Sequence, residues 1–254
     1  MFNNAFAKAN LNNIYIPFTV ANGDLKSALS RAWSEVPRTG AWLTGEQRLA
    51  GAREARRAWA CKLCQRRKQA LSPYSSEGSH DSVSGLPEGW VETIHRIVTD
   101  SGRITEDWYD TMIATGILED EYIEILSLTT IVSCIDSFTH AIGSEELILA
   151  DTAETGDPER RRPGGAEVGP GWAPTVSPSN AGSEFGDFYD NGHQFIRRSL
   201  TLVPDELNRF WRLMNSLYMA NPAVKELEGV ERAISRAQIE FVATRVSAYL
   251  DCFY

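Results

Sequence analysis

The sequence has few cysteines, no long apolar run and a minority of basic residues. Its four cysteines are too few for a disulfide scaffold in a chain of 254 residues. The best apolar run, 123–135, is interrupted by Glu124 and by serines and threonines, so it falls short of the ~18 residues that a membrane span needs. The first residues, MFNNAFAKANLNN, lack the charged and apolar regions of a secretory signal. We therefore expect a cytoplasmic protein without a membrane segment.

The charge balance excludes a further class of partner. The 25 Lys and Arg residues are outnumbered by 34 Asp and Glu residues, which gives a net charge of −9. A dedicated nucleic-acid binder normally presents a basic surface, so we expect no nucleic-acid partner. The composition, 43% hydrophobic and 23% charged, is that of a globular protein with one large domain or two small ones.

Apolar residues recur at helical spacing on both sides of a segment rich in glycine and proline. One apolar stripe lies within 90–98, another follows Pro204 within 207–218, and residues 119–142 predict a longer buried helix that ends at Gly143. The candidate strand IYIPFTV contains Pro17, which argues for an edge strand at best. We therefore predict an all-α fold.

The same patterns divide the chain into three parts. Residues 151–184 have no apolar period and are crowded with Gly, Pro and charge, which predicts a linker. A first helical unit is expected at 1–150 and a second at 185–254. A shift of 191 residues places Gln47 on Gln238 and Cys61 on Cys252, which indicates two copies of one helical unit.

Two of the cysteines, Cys61 and Cys64, form a C-x-x-C motif. Four cysteines placed at random would give this spacing only about one time in twenty, so the pair calls for a chemical interpretation. Between residues 48 and 68 there are eight basic residues and a single acid, Glu54. Cations near a thiol favour the reactive thiolate, so the surroundings indicate redox chemistry. A solvated basic helix face is the alternative.

The segment ISRAQIEFVATRVSAYLDCFY, 234–254, resembles the core motif of the alkylhydroperoxidase D-like, carboxymuconolactone decarboxylase-like superfamily. Glu240 and Cys252 stand where that motif has its glutamate and the first cysteine of its C-x-x-C. The second cysteine and the histidine of the motif would follow Tyr254. The resemblance therefore makes Glu240 and Cys252 site residues of an incomplete second unit.

The first unit is similar to a divergent copy of the same motif. It carries the full C-x-x-C, but Leu49 stands at the glutamate position and Lys68 at the histidine position. His80, beside Asp81, could fold back and supply the missing proton relay. Glu54 is expected to be a surface charge.

The resemblance implies an all-α antiparallel helical bundle that forms a homo-oligomer. It also implies thiol-dependent reduction of a hydroperoxide, with a dithiol or disulfide-reductase electron donor and no cofactor or metal. By analogy with the family, Cys64 attacks the peroxide and Cys61 resolves the product. The catalytic candidates are therefore Cys61, Cys64, His80, Glu240 and Cys252.

Three other functions remain open at this point. A zinc site could use the two cysteines with His80 and His95, but the fourteen residues between these histidines exceed the three to five of a zinc finger. His95 is therefore expected to be a packed helix residue. In a non-catalytic oligomerisation module, the basic residues of 48–68 could pair with acids such as Glu124. A carboxymuconolactone decarboxylase-like enzyme is less favoured, because those members of the superfamily lack the C-x-x-C.

Overall fold

The computed structural model describes residues 24–169, 171–191, 195–218 and 234–249, and helices form most of these described residues. The prediction of an all-α protein is confirmed at this level, with one two-stranded antiparallel sheet added. The helices are α1 (Asp24–Ser34), α2 (Gly45–Ala58), α3 (Lys62–Gln69), α4 (Glu88–Asp100), α5 (Glu106–Ala114), α6 (Glu119–Ala141), α7 (Phe195–Arg198), α8 (Pro204–Leu217) and α9 (Arg236–Tyr249). The strands are β1 (Ala166–Glu167) and β2 (Thr175–Val176), with Ala166 paired to Val176. The candidate strand at 14–20 and Cys252 lie outside the described residues.

The centre of the fold is a group of three helices, α2, α4 and α6, that pack against one another. Small residues on one face of α2 permit this close packing. A Cβ added at Gly51 would lie only 3.1 Å from the Leu128 side chain of α6. The predicted stripe on α4 is buried as expected, with Trp90 and Ile94 in the main core.

Helix α6 matches the predicted buried helix closely, beginning at Glu119 and ending one residue before Ile142. Its length and composition alone would allow it to cross a membrane, but 67% of its most apolar window is buried inside the protein. Such burial is typical of a core helix, whose apolar residues are already covered by protein.

Helix α8 attaches the residues after the predicted linker to this core. It begins with Pro204 at its first position, as predicted, and packs on α1 and α6. Val176 and Phe185 belong to the same core cluster as residues of α2 and α6. The division into two units stays a prediction, while the described residues on both sides of 184 share one apolar core.

Helices α2 and α9 have the same length and the same N-terminal capping. Their first residues, 45 and 236, and their last residues, 58 and 249, differ by the shift of 191 found in the sequence. Thr44 and Gln47 form a reciprocal capping box before α2. Ser235 and Gln238 form the same pair of hydrogen bonds before α9. The repeat in the sequence thus corresponds to a repeat in local structure.

The capping box before α2 gives a prediction about stability. The Thr44 hydroxyl accepts a hydrogen bond from the Gln47 backbone amide, which has no partner within the helix. Thr44→Ala is expected to lower the free energy of unfolding by about 1 kcal/mol, measured by urea denaturation. The control Thr152→Ala, in an exposed loop, should change it by less than about 0.5 kcal/mol. Equal effects of the two substitutions would contradict the role of the cap.

Candidate active site

The start of α3 holds the two cysteines of the C-x-x-C motif. Cys61 is the residue immediately before the helix, and Cys64 lies in its first turn. The Asp81 carboxylate accepts a hydrogen bond of 2.9 Å from the backbone amide of Lys62 and so caps the helix from a neighbouring loop. Both thiols are free, and both cysteines are buried.

Two histidines from different elements meet at these thiols. His80, from the loop before α4, has its Nδ1 atom 3.5 Å from both Cys61 Sγ and Cys64 Sγ. His95, in the middle of α4, has its Nδ1 atom 3.3 Å from Cys64 Sγ. His80 therefore folds back to the cysteines, as the sequence suggested. His95 is packed, as expected, but it also joins the site.

A carboxylate lies at the second nitrogen of each histidine, partly buried for Glu92 and fully buried for Glu54. Glu92 lies 2.7 Å from His80 Nε2, and it also accepts hydrogen bonds from Arg67 and from the Trp108 indole. Glu54 lies 2.9 Å from His95 Nε2. Because an ionised carboxylate only accepts hydrogen bonds, each Nε2 atom carries the hydrogen and each Nδ1 atom of a neutral ring turns its lone pair to the thiols.

The expectation that Glu54 is a surface charge is wrong, since its side chain is fully buried. The physical reason is its position on α2, between Gly51 and Ala58 on the helix face that packs into the protein. Its second oxygen accepts hydrogen bonds from Ser82 and from the backbone amides of Val83 and Ser84. Glu54 thus fixes both His95 and the loop that carries His80.

Hydrogen bonds keep both carboxylates ionised despite their burial. Burial alone would raise the pKa of Glu54, but the bonds from Ser82 and His95 outweigh it and lower the pKa to about 2. Burial acts in the same direction on Glu92, where the bonds from His80 and Arg67 lower the pKa to about 2. Two permanent negative charges therefore flank the histidines.

Hydrogen bonds also shift the pKa values of a thiol and an imidazole in the site. Burial raises the pKa of Cys61, but bonds from the backbone amides of Cys64 and Asp81 and from His80 bring it down to about 7. Burial lowers the pKa of His80, yet its bonds to Cys64 and Glu92 raise it to about 10. Burial lowers the pKa of His95, with Glu54 opposing the shift.

The basic residues of 48–68 are not among the main causes of the lowered pKa of Cys61. The sequence suggested that Lys and Arg side chains would stabilise the thiolate, whereas backbone amides and His80 do so. Several of the basic groups are engaged elsewhere: Arg48 binds Glu124 and Glu206, Arg56 binds Asp136, and Arg67 binds Glu92. The periodicity of residues 48–68 could not identify these carboxylate partners, because the partners lie on other helices.

A cavity of about 500 Å³ opens beside Cys64. Its lining includes the apolar residues Ala58, Trp59 and Val98 and the basic residues Lys68 and Arg103. The lining of a second cavity, of about 630 Å³, includes His80 and Glu92. Of the two cysteines, Cys64 and not Cys61 is in the lining of these two cavities.

The other two predicted site residues, Glu240 and Cys252, are not among the residues described around Cys61 and Cys64. Glu240, on α9, accepts a hydrogen bond of 2.6 Å from the Tyr218 hydroxyl and pairs with Arg236 at 2.9 Å. Cys252 lies outside the described residues, so its predicted relation to Glu240 stays a prediction. Cys134, on α6, is a free thiol whose pKa burial raises to about 11.

Sequence reasoning missed Glu54 and Glu92 as parts of the site. A usable signal exists for Glu92, which lies three residues before His95 and so shares its face of α4.

Family models, curated proteins and solved structures were compared with this chain, and none of them matches it. The resemblance to the alkylhydroperoxidase D-like superfamily therefore stays a prediction.

Proposed function

We propose that Cys61 and Cys64 form a dithiol redox centre that reduces a hydroperoxide and is returned to its reduced form by a dithiol donor. One observation carries this proposal: both sulfurs lie 3.5 Å from the same imidazole nitrogen of His80, beside a cavity that reaches Cys64. A nucleophile, its partner thiol and a proton carrier are thereby within contact distance.

The reaction follows from this arrangement. The Cys64 thiolate attacks one peroxide oxygen, the O–O bond breaks, and the product is a sulfenic acid with an alkoxide that takes up a proton to become an alcohol. Cys61 then attacks the sulfenic sulfur, which releases water and forms the disulfide. A donor dithiol reduces this disulfide by exchange and is itself oxidised.

His80 is suited to deliver the proton to the leaving alkoxide. Its Nδ1 atom contacts both sulfurs, and the Glu92 carboxylate at Nε2 stabilises the ring when it carries the extra proton. This pair replaces the histidine that the family motif would place at Lys68. The proposal therefore differs from the motif in where the proton relay comes from.

Within the all-α class, the proposed fold is the alkylhydroperoxidase D-like bundle with two related halves. The shared bounds and capping of α2 and α9 support this finer statement. A homo-oligomer belongs to the same proposal, because the resemblance implies one. Its number of subunits is measured by light scattering of the purified protein.

Hydroperoxide consumption with a dithiol donor tests the proposed function. The reduced wild-type protein is expected to turn over, whereas Cys64→Ser should fall to the background rate because the attacking sulfur is gone. Cys134→Ser is the matched control, since it removes a thiol outside the site, and it should keep the wild-type rate. Equal background rates for all three proteins would refute the proposal.

A further inference from the structure

The four nitrogen and sulfur atoms at the centre of the site also have the arrangement of a metal-ion ligand set. Cys61 Sγ, Cys64 Sγ and one nitrogen each from His80 and His95 all lie within 4.8 Å of one another. Zinc bonds of about 2.3 Å to sulfur and 2.0–2.1 Å to nitrogen place tetrahedral S and N ligands about 3.5 Å apart. Three of the four S···N distances in this set are 3.3, 3.5 and 3.5 Å.

We propose that the reduced protein binds one Zn²⁺ ion through Cys61, Cys64, His80 and His95. The expectation of no metal came from the family resemblance. A zinc site was less favoured because its spacing differs from that of zinc fingers, in which a short turn of helix carries both histidines. Here the ligands come from the start of α3, a loop and the middle of α4, so three elements converge on one point. That spacing rule does not apply to such a site.

The carboxylates beyond the histidines are a second, independent observation for this site. Glu92 and Glu54 bind the Nε2 atoms of His80 and His95, which turns both Nδ1 atoms inward. Histidines that bind metal ions commonly donate their other N–H to a carboxylate in this way. Two such pairs around one pair of thiols fix the orientation of both rings.

The donor types select the ion. Two thiolates and two imidazoles in a tetrahedral set favour Zn²⁺, whereas Ca²⁺ and Mg²⁺ prefer oxygen ligands. Two thiolates also cancel the charge of the ion, so the buried complex adds no net charge. Because four protein ligands complete the tetrahedron and Cys61 and His95 are fully buried, the ion would have no open position for a substrate.

Metal binding and disulfide formation exclude each other, because both use the two sulfurs. The metal site itself does not depend on the redox reaction, but its effect on that reaction rests on the proposed dithiol function. Zn²⁺ is expected to stop hydroperoxide consumption by occupying both thiolates, and oxidation of the pair is expected to abolish zinc binding. Zinc thereby acts as a regulator of the redox centre.

A competition titration tests the site. Reduced, metal-free protein is titrated with Zn²⁺ under argon against a chromophoric chelator, with helix content followed by circular dichroism. We expect one Zn²⁺ per wild-type chain, an affinity about a hundredfold or more lower in Cys61→Ser, and wild-type affinity in Cys134→Ser. Glu54→Gln, which keeps the ligands, is expected to weaken binding by about 10- to 100-fold.

The outcomes separate the two proposals. Absence of one tightly bound Zn²⁺ in the folded, reduced wild-type protein, or unchanged affinity in Cys61→Ser, would overturn the metal site. If the protein binds zinc but the metal-free form consumes no hydroperoxide, the redox function fails while the metal site stands. If the metal-free form turns over and Zn²⁺ leaves the rate unchanged, the regulation by zinc is refuted.

Discussion

Replacing His80 with alanine is expected to lower the rate of hydroperoxide reduction by about a hundred- to ten-thousandfold, the usual contribution of a general acid. The imidazole contacts both sulfurs at 3.5 Å, so its loss removes the proton carrier nearest to the alkoxide that leaves. Among the histidines that the structure describes, His95 also reaches the site, but its hydrogen-bond contact is with Cys64 and not with both sulfurs.

The measurement is a single-turnover reaction of metal-free, reduced protein with a hydroperoxide across a range of pH. His140→Ala, at an exposed position on α6, is the matched control and should keep the wild-type rate. Glu92→Gln keeps a hydrogen-bond acceptor but removes the charge, so its rate should fall between those of the wild type and His80→Ala. A wild-type rate and pH profile in His80→Ala would show that the proton comes from elsewhere.

Replacing Arg48 with methionine is expected to destabilise the protein by about 3–5 kcal/mol, because it leaves the buried Glu124 carboxylate without a cation and leaves Glu206 with Arg209 alone. The guanidinium binds Glu124 at 2.5 Å and Glu206 at 2.7 Å, and all three side chains are nearly inaccessible to solvent. Burial raises the pKa of Glu124 while Arg48 opposes the shift. The ion triad joins α2, α6 and α8, so its loss affects the whole core.

Urea denaturation measures this effect. Arg53→Met is the control, because Arg53 is exposed on the same helix, and its free energy of unfolding should change by less than about 0.5 kcal/mol. Arg48→Lys retains a charge but loses the two-pronged geometry, so it should lie between wild type and Arg48→Met. A wild-type stability in Arg48→Met would contradict the role of Arg48 as the cation that compensates Glu124.

Local patterns were sufficient for the helices and for part of the site. The stripe at 90–98 became the buried face of α4, and Pro204 marked the start of α8. Both features depend only on neighbours along the chain. The cysteine pair and His80 could be found because their chemistry is rare and their spacing is short.

The partners of these residues could not be found in this way. Glu54, Glu92 and His95 reach the site only after α2, α4 and the loop between α3 and α4 pack together. The buried contact between Arg48 and Glu206 joins residues 158 positions apart, across the predicted linker. Such pairs are set by tertiary packing, which a single sequence does not display.

The most direct test of the redox centre is the fate of the cysteines after oxidation. Fully reduced, metal-free protein is treated with one equivalent of hydroperoxide, alkylated, digested and mapped by mass spectrometry. The account predicts an intramolecular disulfide between Cys61 and Cys64, with Cys134 recovered as an alkylated thiol. Recovery of both Cys61 and Cys64 as alkylated thiols, with the hydroperoxide unconsumed, would contradict it.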